Sequence, residues 1–171
     1  TGRSLSDINI HEVLERVRQI ILAEFPKGLS FIRDYDVSVP TLRGDREQLL
    51  QVFLNIEKNA AEALDGKIAE GTAEIRVITR VAQQVQIGLR RYRLPIHIQD
   101  NGPGVPPEIR DRIFYPLVTG KANGSGLGLS LAQNFIRQHD GSIDVESEPG
   151  KTDFRILLPL SPPETGDISP A

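Results

Sequence analysis

The chain contains no cysteine and no methionine. The missing cysteine rules out disulfides, zinc-thiolate sites and cysteine nucleophiles, and fits a reducing, cytoplasmic setting. Methionine is absent even at position 1, which predicts a piece of a longer protein whose other regions complete its function. Long apolar runs are absent as well: none approaches the ~20 residues of a membrane span, and no signal-peptide pattern opens the chain. Nor does one sign of charge dominate. A net charge of -3 gives no global reason to expect nucleic acid or a membrane surface as partner. What is present is ordinary: 171 residues, 39% hydrophobic and 25% charged, enough for one domain with a real core.

Thr1 to Ile8 reads as a linker. From Ile10, apolar residues at Val13, Leu14, Val17 and Ile21 follow helical spacing behind Asn9, a good N-cap, and Pro26 and Gly28 close the helix. Leu29–Tyr35 reads as a strand and "DVSVPTLRGD" as a connecting loop. A second helix begins near Asp45, with Leu49, Val52, Phe53, Ile56, Ala60 and Ala63 as its apolar stripe, and Gly66 and Gly71 bracket its exit. "AEIRVITRV" and "VQIGLRRYRLPIHIQ" read as two or three antiparallel strands that end at Asp100. Pro106 and Pro107 start a short helix. A further helix over Leu127, Leu131, Ala132, Phe135 and Ile136 stops at Gly141, placed as its C′ residue. "SIDVESE", a Pro149-Gly150 turn and "TDFRILLPL" make a final hairpin, and residues 161–171 form a Pro- and Ser-rich, disordered tail. The order α-β-α-βββ-α-ββ predicts an α+β domain with helices on one face of a mostly antiparallel sheet.

Two bursts of glycine, "DNGPG" and "GSGLGL", flank a loop carrying Lys121. Glycine costs conformational entropy, so each burst is either a set of turns or a place where backbone approaches a ligand. Gly124, Gly126 and Gly128 precede a helix, which leaves free N–H groups and a helix N-terminus facing outward, an anion site by geometry. The strand-first context of a dinucleotide fold and the G-K-[ST] ending of a P-loop are both missing. On the second helix, Asn55, Asn59 and Glu62 share a stripe about 60° wide beside the apolar face. Their amide and carboxylate oxygens suit Mg²⁺, or they are a wet helix flank. Glu57 and Lys58 lie off this stripe and read as surface charges.

Asn-x₃-Asn, then D-x-G-x-G about forty residues later, then G-x-G-L-G-L opening a helix, resembles in that order the ATP-binding domain of histidine kinases, gyrase-type ATPases, the Hsp90 chaperone and mismatch-repair ATPases. The resemblance spans residues 9–160. It implies a two-layer α/β sandwich: a mixed, mostly antiparallel sheet of about five strands plus a hairpin, three helices on one face, and an ATP lid over "IFYPLVTGKAN". The ATP-hydrolysing branches carry a glutamate four residues before the magnesium-binding asparagine. Here that residue is Asn55, a neutral amide that cannot act as general base, which favours the kinase branch. "QVFLNIEKNAAEAL" and the run from "RYRLPIHIQDNGPG" to "NFIRQHDGSI" are similar to nitrogen-regulation sensor kinases of the NtrB type.

The resemblance implies ATP and Mg²⁺ as ligands. Asn59 would coordinate the metal and Asn55 position the phosphates or the metal's water shell. Asp100 would accept the adenine amino group, with Gly102 and Gly104 lining the ring and Thr152 supporting it. Lys121 and the N–H groups of Ser125, Gly126, Leu127, Gly128 and Leu129 would meet the β- and γ-phosphates. Glu62 stands where sensor kinases often carry a basic residue, so it acts through the metal or not at all. Asn55, Asn59 and Lys121 are then the catalytic candidates.

The substrate histidine is missing. "HEVLERV" at His11 imitates an acceptor motif but has Arg16 where proline belongs, so His11 reads as a solvated helix residue. His97 reads as pointing outward from its strand, and His139 as a cation favoured in a helix's last turn. The partners implied are a separate dimerisation and phosphoacceptor domain, a response regulator and a PII-type signalling protein. The alternatives are a non-catalytic nucleotide-binding module, a self-sufficient ATPase and a protein-serine kinase of the same superfamily.

Overall fold

The structure, a computed structural model, describes residues 4–114 and 126–161. Strand β1 (Leu5–Ile8) leads into helix α1 (Ile10–Glu24), and Asn9 caps α1 by accepting the His11 N–H at 3.0 Å. The α1 residues Ile10, Val13, Leu14, Val17 and Ile21 are buried, at the spacing of one helical face. Strands β2 (Leu29–Asp34) and β3 (Leu42–Asp45) precede α2 (Arg46–Ala63), whose N-cap is Asp45. A short α3 (Asp65–Glu70) ends at Gly71 in the left-handed region, φ 76°.

Strands β4 (Ala73–Thr79), β5 (Ala82–Gln86) and β6 (Leu89–Asp100) follow, then α4 (Pro107–Arg110), α5 (Gly126–Gln138) and the hairpin β7 (Ser142–Glu148) and β8 (Lys151–Leu160). The sheet runs β2-β4-β6-β8-β7, with β5 pairing the outer part of β6. Only β2–β4 is parallel; the remaining pairs are antiparallel. Burial alternates along β4 and β8, so one face of the sheet packs on the helices. Between the layers, Leu14, Phe53, Ile56, Ile75, Ile96, Ile98 and Ile136 are all but inaccessible. Each such side chain contributes roughly 1.5–3 kcal/mol of burial. This is the α+β sandwich the element order predicts.

Several local expectations fail. Leu5–Ile8 is not linker but a strand paired antiparallel with β3, Leu5 opposite Asp45 and Ile8 opposite Leu42. The connecting loop before α2 therefore ends in a strand. Both strands are only four residues long, and most of β1 is exposed, so no periodic signal announces them. The exit from α2 is not a bare turn but α3, and the buried alanines of α2 are Ala60 and Ala61, with Ala63 only half-buried.

At the end of α5 the left-handed residue is Asp140, φ 58°, with Gly141 one place further on. Asp140 N–H bonds to Arg137 C=O and Gly141 N–H to Ile136 C=O, both at 2.9 Å, the paired bonds of a Schellman ending. Gly141 is glycine for another reason: a Cβ there would lie 2.5 Å from the Leu157 carbonyl oxygen. The tail from residue 162 lies outside the described residues.

Candidate functional site

Asp100 is the last residue of β6 and points to the helix side, where it is 8% exposed between Ile75 of β4 and Thr152 of β8. Its Oδ1 accepts the Gly102 N–H at 2.9 Å. The next residue fixes the loop. Asn101 Nδ2 donates to Thr72 C=O and Asn101 Oδ1 accepts from Glu74 N–H, both at 2.8 Å, so the side chain extends the β4–β6 ladder past its end.

The first glycine burst is packed against the protein itself. A Cβ on Gly102 would lie 2.9 Å from Asp100 Oδ1 and 3.3 Å from Leu64 Cδ2 at the end of α2. Gly104 has φ +89°, and a Cβ there would lie 2.8 Å from the Glu148 carbonyl oxygen. Gly150 N–H reaches back to Gly102 C=O at 2.9 Å. The burst thus lets this loop close onto the β7–β8 turn.

Behind the loop runs a hydroxyl chain that the sequence reading misses. Val105 N–H donates to Ser147 Oγ at 2.7 Å, and Ser147 Oγ lies 2.9 Å from Thr152 Oγ1. Ser147 and Thr152 are both buried. The usable signal was strand alternation: Ser147 sits at an inward position of β7, and a serine there needs a partner.

On α2, Asn55, Asn59 and Glu62 are half-buried on one flank, and Asn55 Oδ1 accepts from Gln51 Nε2 at 2.7 Å. Among the described residues no group of three or more His, Cys, Asp or Glu side chains is placed to hold a metal. An all-protein cage is therefore lacking there. A few neutral amide oxygens suit Mg²⁺, which keeps waters and shares its shell with substrate phosphates. The donor set on α2 fits such an ion. Gly126, Gly128 and Leu129 lie in the first turn of α5, with Leu129 buried. Leu127 stands between them in the same turn. Lys121 and Ser125, and residues 115–123 of the segment expected to form a lid, lie outside the described residues.

Glu57 is the main correction. It is not a surface charge: it is 0% exposed, and neither carboxylate oxygen has a hydrogen-bond partner. Burial pushes its carboxyl well above the usual range, and the Glu15 carboxylate pushes the same way. Glu57 stands four residues from Phe53 and four from Ala61, inside the buried stripe.

Two of the three histidines also differ from expectation, while His97 faces away from the buried Ile96 and Ile98 as expected. His11 is half-buried, stacked on Tyr35, with Nε2 2.8 Å from Thr79 Oγ1. His97 has a carboxylate partner, its Nδ1 3.1 Å from both oxygens of Asp153. His139 is buried, and Nε2 accepts the Asp45 N–H at 2.9 Å, so the proton sits on Nδ1 and is donated to Phe135 C=O at 2.7 Å. A hydrogen-bonded neutral ring, not a helix-end cation, is what the fold uses there.

Residues 44–162 match the sequence profile of the histidine kinase-, DNA gyrase B- and HSP90-like ATPase family. The chain is 48% identical over 154 residues to the sensory histidine kinase/phosphatase NtrB of Salmonella typhimurium, covering 89% of this chain and 43% of that protein. It is 43% identical over 163 residues to the NtrB of Rhodobacter capsulatus, covering 94% of this chain and 45% of the relative. The chain thus spans less than half the length of the curated relatives it matches.

Among solved structures, the mycobacterial sensor histidine kinase MprB superposes with a TM-score of 0.72 at 24% identity, covering 94% of this chain and 99% of that one. Full-length ShkA in complex with AMPPNP gives 0.74 at 24%, covering 94% of this chain and 32% of ShkA. Histidine kinase ThkA in complex with response regulator protein TrrA gives 0.70 at 22%, covering 94% and 43%. The fold, the ordered set of α2 asparagines, Asp100 loop and glycine-opened α5, and the match across residues 44–162 agree: this chain belongs to the histidine kinase-, DNA gyrase B- and HSP90-like ATPase family.

Proposed function

We propose that this chain binds Mg-ATP beside α2, the end of β6 and the start of α5, and passes the γ-phosphate to a histidine on a separate dimerisation and phosphoacceptor domain. The setting is a cytoplasmic two-component system of nitrogen regulation. The observation that carries the reading is Asp100: a buried carboxylate at a strand end, held by the Gly102 N–H, in a chain 46–48% identical to several NtrB proteins. A carboxylate so placed accepts the adenine amino group, with Thr152 beside it across the β6–β8 ladder.

Asn55, Asn59 and Glu62 would face the phosphates from α2, with Asn59 as the protein ligand of Mg²⁺. The metal supplies charge neutralisation for the transferring phosphoryl group. Lys121, Ser125 and the N–H groups of Gly126 to Leu129 complete the phosphate side. The bond from γ-phosphorus to its bridging oxygen breaks, a bond to the acceptor histidine nitrogen forms, and ADP leaves. A response regulator then takes the phosphoryl group, and a PII-type protein is the regulatory partner the resemblance implies. Among the described residues no helix is long and apolar enough to cross a membrane.

Calorimetric titration with ATP, with and without Mg²⁺, tests the pocket, and transfer to an added phosphoacceptor domain tests the reaction. Saturable binding without transfer would leave a nucleotide-binding regulatory module. Sustained phosphate release by the chain alone would revive the ATPase reading that Asn55 opposes.

A further inference from the structure

We propose that Asp45 and His139 form a positioning joint that holds the leading strand β1 in register with α2 and α5, so that β1 pairing and nucleotide occupancy are coupled. The coupling rests on the nucleotide reading above; the joint itself is built from four hydrogen bonds at one residue pair. Asp45 Oδ1 accepts the Gln48 N–H at 3.1 Å and caps α2. Asp45 Oδ2 accepts the Ser4 N–H, also at 3.1 Å, at the start of β1. The Asp45 N–H donates to His139 Nε2 at 2.9 Å, and His139 Nδ1 donates to the Phe135 carbonyl at 2.7 Å, near the end of α5.

Three elements therefore meet at one aspartate. α2 leads from it toward Asn55 and Asn59. α5 runs from its glycine-opened turn to His139, and a second contact, Gln48 Nε2 to Gln138 Oε1 at 3.0 Å, runs beside the first. The joint has little slack. Asp45 and His139 are both buried, and a Cβ on neighbouring Gly44 would lie 3.0 Å from the imidazole. Beyond His139 the chain is pinned to β8 at Gly141, where a Cβ would lie 2.5 Å from Leu157 O. A shift of β1 at Ser4 is thus passed to the cap of α2 and the end of α5 together, since close-packed elements move between discrete arrangements and do not deform smoothly.

The test compares amide hydrogen exchange of Leu5–Ile8 with and without Mg-ATP, alongside calorimetry, for the wild type and Asp45→Asn. Asparagine keeps the backbone donor to His139 but offers one oxygen where two donors, Gln48 and Ser4 N–H, need acceptors. In the wild type, Mg-ATP should slow β1 exchange about fivefold or more. In Asp45→Asn that ratio should fall below about twofold, and by reciprocity ATP should bind about fivefold more weakly. Melting should stay within about 4 °C of wild type. His139→Leu removes the acceptor from the other side and should also lose the ratio; if it fails to fold, Asp45→Asn decides alone. A merely structural joint would speed exchange equally with and without nucleotide and leave the ratio intact. That result overturns the proposal, as does ATP binding to the wild type with no change at β1. If the wild type binds no ATP, calorimetry alone reports it, and the nucleotide reading and the coupling fall together.

Discussion

The ring of His11 lies flat on the ring of Tyr35, centroids 4.6 Å apart and planes 10° from parallel. With Nε2 2.8 Å from Thr79 Oγ1, this one side chain joins the start of α1 to the chain just beyond β2 and to the end of β4. Thr79 Oγ1 also accepts the Asp36 N–H at 3.0 Å, so one hydroxyl holds both the imidazole and the chain that leaves β2.

Burial lowers the His11 pKa, against the opposing pull of Asp36 and Glu15. A folded pKa below the unfolded one means that protonation favours unfolding. The contribution is present above the unfolded value near 6.5 and is lost as pH falls through the folded value. An NMR titration should place the His11 midpoint below 6.5. His11→Ala should cost about 1–2 kcal/mol, the stacking together with the hydrogen bond. A midpoint at the ordinary value would mean that the ring is solvated, and one above it that Asp36 and Glu15 outweigh burial.

Glu57 should make the fold less stable at neutral pH than a neutral side chain would. Tyr35 Oη and Arg18 Nε are also buried without hydrogen-bond partners, and Glu15, which is ion-paired with Arg33 at 2.8 Å, adds negative potential. Because the folded pKa of Glu57 is raised, its contribution is fully present below the unfolded value near 4.3 and is lost as pH rises toward the folded one. Glu57→Gln should therefore stabilise the domain at pH 7 by on the order of 1–3 kcal/mol, with the gain vanishing near pH 4. Urea denaturation at the two pH values reads both numbers. Equal effects at pH 4 and pH 7 would sink the idea.

How much of this was legible depends on how local each cause is. Asn9 and Asp45 announce α1 and α2 because a cap is made by a side chain bonding to N–H groups two or three residues away. Asp100, the glycines and the α2 asparagines were legible as an ordered set, and the fold sets them at the end of β6, on α2 and at the start of α5. β1 and β3 were not legible, since each depends on the other across a gap of more than thirty residues. Glu57 was readable in principle: its spacing from Phe53 and Ala61 puts it in the stripe, and reading its charge before its position misplaced it. The partners of His97 and His139 come from β8 and β3, and no local pattern carries that information.

Gly104→Ala should be among the most damaging small substitutions. It demands φ +89° of a residue with a Cβ and sets that Cβ 2.8 Å from the Glu148 carbonyl oxygen, backbone that cannot rotate away. Strain of this kind costs about 1–3 kcal/mol before any displacement of the β7–β8 turn. The same substitution at Gly150, whose φ is 91° but whose Cβ would meet open space, should cost the lesser part of that. Thermal melting of the two variants separates conformational strain from collision; equal losses would show that collision contributes nothing.

Asp100→Asn should weaken ATP binding while leaving the fold in place. Asparagine keeps an oxygen for the Gly102 N–H, and the position remains flanked by Ile75 and Thr152, so the Asp100 loop has no reason to open. What changes is the face offered to the ring: one of two acceptor oxygens becomes an amide donor, which meets the adenine amino group donor to donor. Unpaired buried donors cost about 1–3 kcal/mol each, so affinity should fall at least tenfold and as much as several hundredfold. Asn59→Ala makes the complementary case: without its amide oxygen, the Mg²⁺-dependent part of ATP affinity should shrink and the Mg²⁺-independent part should hold. Calorimetry with ATP, with and without Mg²⁺, reads both variants. If Asp100→Asn binds ATP like the wild type, the adenine lies elsewhere, and the buried carboxylate at the end of β6 serves only to hold its own loop.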